Sequence, residues 1–219
     1  MITYNDIKHN ENIRTYIKKA DEALGVLGYT EHSFAHVAKV AETAGQILST
    51  LGYSEREVEL VKIAGYLHDI GNLVNRAEHS QSGAVMAFRI LDKLGMPADD
   101  IADIVTAIGN HDEGTANPIN AISAALFLAD KSDVRRTRVR NNDFSTFDIH
   151  DRVNYSVSKS SLSIGEDKKE IRLVLEIDPQ YSSVTDYFEI FLTRMILCRK
   201  AADRLGIRFR LIINDQVLM

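Results

Sequence analysis

Residues 66–71 read Tyr66-Leu67-His68-Asp69-Ile70-Gly71. An imidazole and a carboxylate stand side by side at the end of an apolar helical run. Both are ordinary ligands for first-row metal ions. Adjacent helical residues do not share a face, so the pair can turn to one ion only where a helix stops. Gly71 is expected to supply that stop as a C-terminal cap. Exposed carbonyls at such an end carry partial negative charge and favour a nearby cation. A His-Asp pair alone is a weak signal, and its weight depends on partners elsewhere in the chain.

Working outward, the pattern before the doublet is helical. Ile13, Ile17, Ala20 and Leu24 recur at helical spacing within a first helix expected over residues 7–27, ended by Gly25 and Gly28. A second helix is expected from Thr30, as N-cap, to Leu51-Gly52. Ser54 should cap a third helix, with Glu55 and Glu57 in its acidic first turn, and this helix delivers the doublet. After the doublet, a fourth helix is expected to open near His79, with Ala84, Val85, Ala87, Phe88, Leu91 and Leu94 as its buried stripe. Gly95-Met96-Pro97 breaks it, and residues 98–110 read as a fifth helix. Asn117-Pro118 has the form of an N-cap followed by an N1 proline, opening a sixth helix that ends in Leu128-Ala129-Asp130.

The pattern changes after about residue 142. Residues 153–157 and 171–177 alternate with period two around a Gly165-Glu166-Asp167 turn, so a hairpin is expected. A strongly apolar helix over residues 183–205 and a strand over residues 207–213 follow. The fold class is therefore mainly α: a helical domain over residues 1–142 and a small α+β (ββαβ) subdomain over residues 143–219. The subdomain is expected to shape substrate access or to form a homodimer contact by sheet pairing, adding little chemistry.

Five of the seven histidines, namely His32, His36, His68, His79 and His111, fall near expected helix ends or first turns. His32 and His36 are four apart and would share a helix face. Asp130 follows an apolar run where an unpaired carboxylate would be costly. Singly, each of these is more often a cap, a surface group or half of an ion pair than a ligand. Their joint order is not accounted for by capping.

That order resembles the HD-domain metal-dependent phosphohydrolases, whose signature is a His, an adjacent His-Asp and a distal Asp on a helical bundle. Here it reads His36, His68-Asp69 and Asp130, within a resemblance covering residues 30–138. Many members carry two further histidines between doublet and distal Asp, and His79 and His111 match those positions. The resemblance implies a dinuclear centre held by His36, His68, Asp69, His79, His111 and Asp130, with Asp69 bridging. A subfamily that hydrolyses cyclic dinucleotides carries a paired His-His followed by Gly-Tyr-Pro. This chain has Asn110-His111 and then Gly114-Thr115-Ala116-Asn117-Pro118, so that substrate is not expected.

Two divalent ions clamp phosphoryl oxygens and lower the pKa of a bound water. Mixed imidazole and carboxylate ligands suit Mn, Fe, Co, Ni or Zn. Lys131, next to Asp130, could reach a substrate phosphate, and Asp112 or Glu113 could handle the leaving group's proton. Arg76 and Glu78 could line the mouth, and Arg135, Arg136, Arg138 and Arg140 either gather phosphate or form a solvated face.

Composition fits this reading. Net charge is -5, so no affinity for a nucleic acid duplex is implied. No run approaches the ~20 apolar residues of a membrane span, the start has no signal-peptide pattern, and the one cysteine, Cys198, forms no internal disulfide. A cytoplasmic setting is expected. The expected function is hydrolysis of a small-molecule phosphate ester, with a nucleotide as the substrate class, by metal-activated water, with Asp69 and Lys131 as the catalytic pair. The alternative is a non-catalytic nucleotide- or metal-sensing regulatory module.

Overall fold

The computed structural model describes all 219 residues, Met1–Met219. Seven helices form the first part: α1 (Tyr4–Lys8), α2 (Glu11–Val26), α3 (Phe34–Leu51), α4 (Glu55–Leu67), α5 (His79–Lys93), α6 (Ala98–Gly109) and α7 (Ala121–Lys131). The tail adds α8 (Ile149–Ser156), β1 (Val157–Ile164), β2 (Glu170–Ile177), α9 (Val184–Arg204), β3 (Arg208–Ile213) and β4 (Gln216–Val217). The protein is thus mainly helical with a small mixed sheet after the bundle.

Packing of α3 against α4 sets the depth of the site. The apolar faces of α3 and α4 meet through Val40, Ala41, Ala44, Val61 and Ala64, all fully buried. Gly65 is required there, because a Cβ at that position would lie 2.8 Å from the Ala41 Cα and 2.9 Å from its backbone nitrogen. α3 also packs on α7, and α5 packs on α6. His36 on α3, the doublet after α4 and Asp130 on α7 are thereby brought to one place.

The doublet lies where α4 stops. His68 is the C-cap, and Asp69 precedes a short 3-10 turn over Ile70–Leu73. Gly71 is not the left-handed cap expected from the sequence; it lies inside that turn and its φ is not positive. It is a glycine because α5 passes directly over it. A Cβ on Gly71 would fall 2.0 Å from the His79 carbonyl oxygen and 2.5 Å from the Gly83 nitrogen.

Several expected boundaries move. The first helix divides at Asn10, whose side chain caps α2 by accepting from the Asn12 and Ile13 amides. α3 starts after Ser33 rather than at Thr30, because residues 31 and 32 bond elsewhere: the Glu31 amide donates to the Arg138 carbonyl and the His32 amide to Asp21 Oδ1. His32 therefore precedes the helix instead of sharing its face with His36. α7 is capped by Asn120 through a capping box with Ser123, not by Asn117-Pro118. On α5 the buried face is His79, Ser80, Gly83, Ala87 and Leu91, while Val85 and Phe88 are exposed. Polar and glycine residues face inward there because that face meets the site and the doublet turn.

In the tail, residues 153–156 are helical, not extended. Asp148 caps α8 by accepting from the Asp151 amide, and Val153 and Ser156 are buried one helical turn apart. Local capping and tertiary burial override a short period-two pattern. The hairpin forms one step later, pairing β1 with β2 antiparallel. β2 and β3 are parallel, which requires the α9 crossover. The sheet order is β1-β2-β3-β4. α9 packs on both α7 and the sheet, so one continuous set of buried side chains runs from the bundle into the tail. The tail therefore leans on the helix that carries Asp130.

Candidate metal centre

Five histidines are built alike. His68 Nδ1 lies 2.8 Å from the Gly65 carbonyl, His111 Nδ1 2.6 Å from that of Ile108, and His79 Nδ1 3.1 Å from that of Arg76. His32 Nδ1 lies 2.7 Å from the Thr30 carbonyl, and His36 Nδ1 2.8 Å from Asp133 Oδ2. Only an N–H can sit against these oxygens, so each Nδ1 donates. In the neutral ring the Nε2 then carries the lone pair. All five Nε2 atoms approach Asp69.

The two Asp69 oxygens divide these groups. Oδ2 lies 3.0 Å from His68 Nε2, 3.5 Å from His36 Nε2 and 3.9 Å from His32 Nε2. Oδ1 lies 3.5 Å from His79 Nε2 and 3.8 Å from His111 Nε2. Asp130 Oδ1 joins the first group, 3.4 Å from His36 Nε2 and 3.7 Å from His68 Nε2. All six residues expected from the sequence as ligands converge, and each side chain is buried or nearly so. The ligand atoms of His36, His68 and Asp130, and those of His68, Asp69 and His111, lie within 4.8 Å of one another, as metal sites require.

Without a cation this arrangement is poorly satisfied. His36 Nε2, His68 Nε2 and Asp69 Oδ2 are buried with no hydrogen-bond partner. His79 and His111 bring their Nε2 atoms to 3.1 Å, although both Nδ1 atoms already hold the ring proton. Two lone pairs face each other there. Orphaned buried acceptors are costly and rare in native proteins, and a metal ion satisfies lone pairs of this kind. The donor set fits a first-row divalent metal.

Electrostatics agree. Burial pushes the Asp69 carboxyl up, but the imidazoles of His68 and His32 outweigh it and hold Asp69 well below the usual carboxylate range. Burial likewise opposes ionisation of Asp130, and the adjacent Lys131 ammonium and His36 reverse it. Burial pushes the His79 imidazole down to about 4, and it lowers His111 and His32 as well. His36 differs. Burial and Arg138 lower it, yet the Asp130, Asp133 and Asp69 carboxylates raise it to about 9. Of these, Asp130 and Asp69 face Nε2 and favour a positive charge there, which a proton or a metal ion can supply.

The surrounding shell contains residues that the sequence did not single out. Asp133, nearly fully buried, accepts from His36 through Oδ2 and from Lys39 Nζ through Oδ1 at 2.7 Å. Asn72 donates to Asp69 Oδ1 at 3.0 Å and to the Asp69 carbonyl at 2.9 Å. Their sequence signal is only proximity, three residues after each ligand aspartate. A carboxylate behind a ligating imidazole fixes its tautomer and raises its basicity. Asp133→Asn is therefore expected to weaken metal binding by about 10–100-fold. Titration calorimetry checks this, and an unchanged affinity would show that Asp133 only packs.

Above the centre lies a cavity of about 420 Å³. Lys131 lines it, with Nζ 2.7 Å from Asp130 Oδ2. Glu113 lines it too, but accepts from Arg194 of α9 at 2.7 Å, while Asp112 has no ion-pair partner. Of the four arginines following Lys131, only Arg138 borders the cavity. Arg135 pairs with Asp133, Arg136 with the Tyr155 carbonyl, and Arg140 with Asp21. Glu78 does not line the cavity; Arg76 does. The tail forms part of the wall, through His150 and Asn154 of α8 and Phe191 and Arg194 of α9. Their signal was invisible in sequence, since they have no motif and lie far along the chain.

Residues 33–135, from the start of α3 to just beyond α7, match the family model of the HD domain. An uncharacterised protein of Methanocaldococcus jannaschii is 26% identical over 210 residues, which span 85% of this chain and 79% of that protein. A crystal structure of a predicted HD superfamily hydrolase from an uncultured Thermotogales bacterium is 23% identical. It covers 57% of this chain and 69% of its own at a TM-score of 0.43, a likeness too distant to argue from. No helix is long and apolar enough to cross a membrane.

Proposed function

We propose that the protein is a metal-dependent phosphohydrolase acting on a small-molecule phosphate ester, with a nucleotide as the substrate class. The observation that carries this reading is the division of Asp69. Its Oδ2 faces His36 and His68, which Asp130 also approaches, and its Oδ1 faces His79 and His111. Such a carboxylate would hold two divalent ions, one on each oxygen. When bound, the ions supply charge neutralisation for phosphoryl oxygens and a water of lowered pKa.

The chain's own groups complete the chemistry. Asp69 and Asp130 would be the anionic ligands, and the histidines, each fixed at Nδ1, would present Nε2, His36 once it has given up the proton its carboxylate neighbours favour. Lys131 stands at the cavity edge of Asp130 and would meet charge developing on the phosphoryl group. Glu113 is committed to Arg194, which leaves Asp112 as the carboxyl able to pass a proton to the leaving oxygen. Burial of the ligands keeps bulk water from competing for the metals.

The test is turnover of a panel of phosphate esters by protein loaded with Mn or Fe. Hydrolysis of at least one ester, abolished by a chelator and restored by metal, is expected. Failure to hydrolyse any ester, together with binding of less than one equivalent of metal, would overturn the reading.

A further inference from the structure

Charge around the cavity is arranged in a way the ligand set does not explain. Seven carboxylates and four Lys or Arg side chains line it. Three of the four cations are already committed: Lys131 to Asp130, Arg194 to Glu113, and Arg138 to the Glu31 and Asp133 carbonyls. Arg76 is the exception. Its contacts are Asn72 Oδ1 at 3.3 Å, His79 Nε2 at 3.4 Å and the Tyr29 ring at 5.4 Å, with no carboxylate among them. The His79 lone pair it touches is the one a metal would take. With metal in place, Arg76 is the lining cation with no carboxylate partner, so it can meet a substrate oxygen in full, whereas Lys131 shares its charge with Asp130.

The remaining wall has the opposite sign. Asp112 follows α6, and Asp148 and Asp151 belong to the start of α8; all three line the cavity, and none pairs with a Lys or Arg. Asp148 accepts from the Asp151 amide, and Asp151 accepts from Asn141 Nδ2 at 3.1 Å. Asn154, His150 and Thr30 complete this side with hydrogen-bonding groups. A second phosphoryl group would meet these carboxylates with no unpaired cation to offset it, and like-charge juxtaposition is a strong means of rejection. A sugar hydroxyl, by contrast, would find acceptors there.

We infer that the site takes a single phosphoryl group. Its substrate is a phosphomonoester on an uncharged, hydroxyl-bearing leaving group, held by the metals and Arg76, and compounds with pyrophosphate or triphosphate chains are rejected by the acidic wall of α8. This rests on the phosphohydrolase reading and narrows it.

The test uses full-length protein loaded with Mn and needs no knowledge of the leaving group. Inorganic phosphate and tripolyphosphate are titrated by calorimetry, with the protein's metal content checked after each run. Phosphate should bind at least about tenfold more tightly than tripolyphosphate, the reverse of the order that total charge would give. Arg76→Met should weaken phosphate by about tenfold or more. Asp148→Asn/Asp151→Asn should strengthen tripolyphosphate by at least about fivefold. Asn is itself a good N-cap, so α8 is retained. Tripolyphosphate binding as tightly as phosphate would overturn the inference and leave the phosphohydrolase reading standing. No phosphate binding to metal-loaded protein would overturn both.

Discussion

Asp69→Ala is expected to abolish both metal retention and turnover, because one side chain faces all four candidate imidazole ligands. The effect reads most cleanly as stability. Metal at about a thousandfold over its dissociation constant stabilises the native state by about 4 kcal/mol. For a domain of this size that is a rise of about 8–16 °C in melting temperature. Wild-type protein should show this rise on adding Mn, measured by scanning calorimetry, and Asp69→Ala should show less than about 3 °C. The variant removes the only carboxylate between the two imidazole groups, so neither side keeps a full set. A rise of wild-type size in the variant would mean that Asp69 is peripheral. A binding module that uses no metal would keep its partner affinity in this variant, which separates the regulatory alternative.

Gly71→Ala is the second large effect, and its cause is steric. The new methyl would fall 2.0 Å from the His79 carbonyl and 2.5 Å from the Gly83 nitrogen, both backbone atoms that cannot swing aside. Either α5 lifts from the doublet turn or the turn unwinds. A loss of about 3–5 kcal/mol in unfolding free energy is expected, in the range of severe core substitutions. Because α5 begins with His79, the same change should lower metal stoichiometry more than it lowers the affinity of the remaining site. Urea unfolding with metal analysis checks both. Stability within about 0.5 kcal/mol of wild type would show that α5 does not press on the doublet.

These two positions show what the sequence could and could not say. The six candidate ligand positions are legible because each is a chemically distinctive residue at a helix end, and order along the chain survives folding. A glycine after a helix suggests a left-handed cap, whereas the structure uses Gly71 for close approach of a helix eight residues onward. Asp133 and Asn72 were missed because a supporting carboxylate or amide has no spacing rule of its own. The α5 stripe failed in an instructive way: Val85 and Phe88 face solvent because His79, Ser80 and Gly83 are needed inside. A binding site inverts the hydrophobic pattern that predicts burial.

The tail illustrates a second limit. Its hairpin, long helix and final strand were readable from period and turn residues, and residues 153–156 were misread because a short alternation cannot outweigh an N-cap and burial. A part in substrate access is expected from its position after the bundle, but which of its side chains reach the cavity is not readable. Arg194 reaches Glu113 across 81 positions of sequence, through packing of α9 on α7 that no local pattern encodes.

The central proposal is that Asp69 would serve two metal ions, with His36, His68 and Asp130 on one side and His79 and His111 on the other. Anomalous scattering from a crystal of Mn-loaded protein tests it most directly. Two peaks are predicted, one among His36, His68 and Asp130 beside Asp69 Oδ2, and one between His79 and His111 beside Oδ1. A single peak at saturating metal, with His79 and His111 unligated, would contradict it.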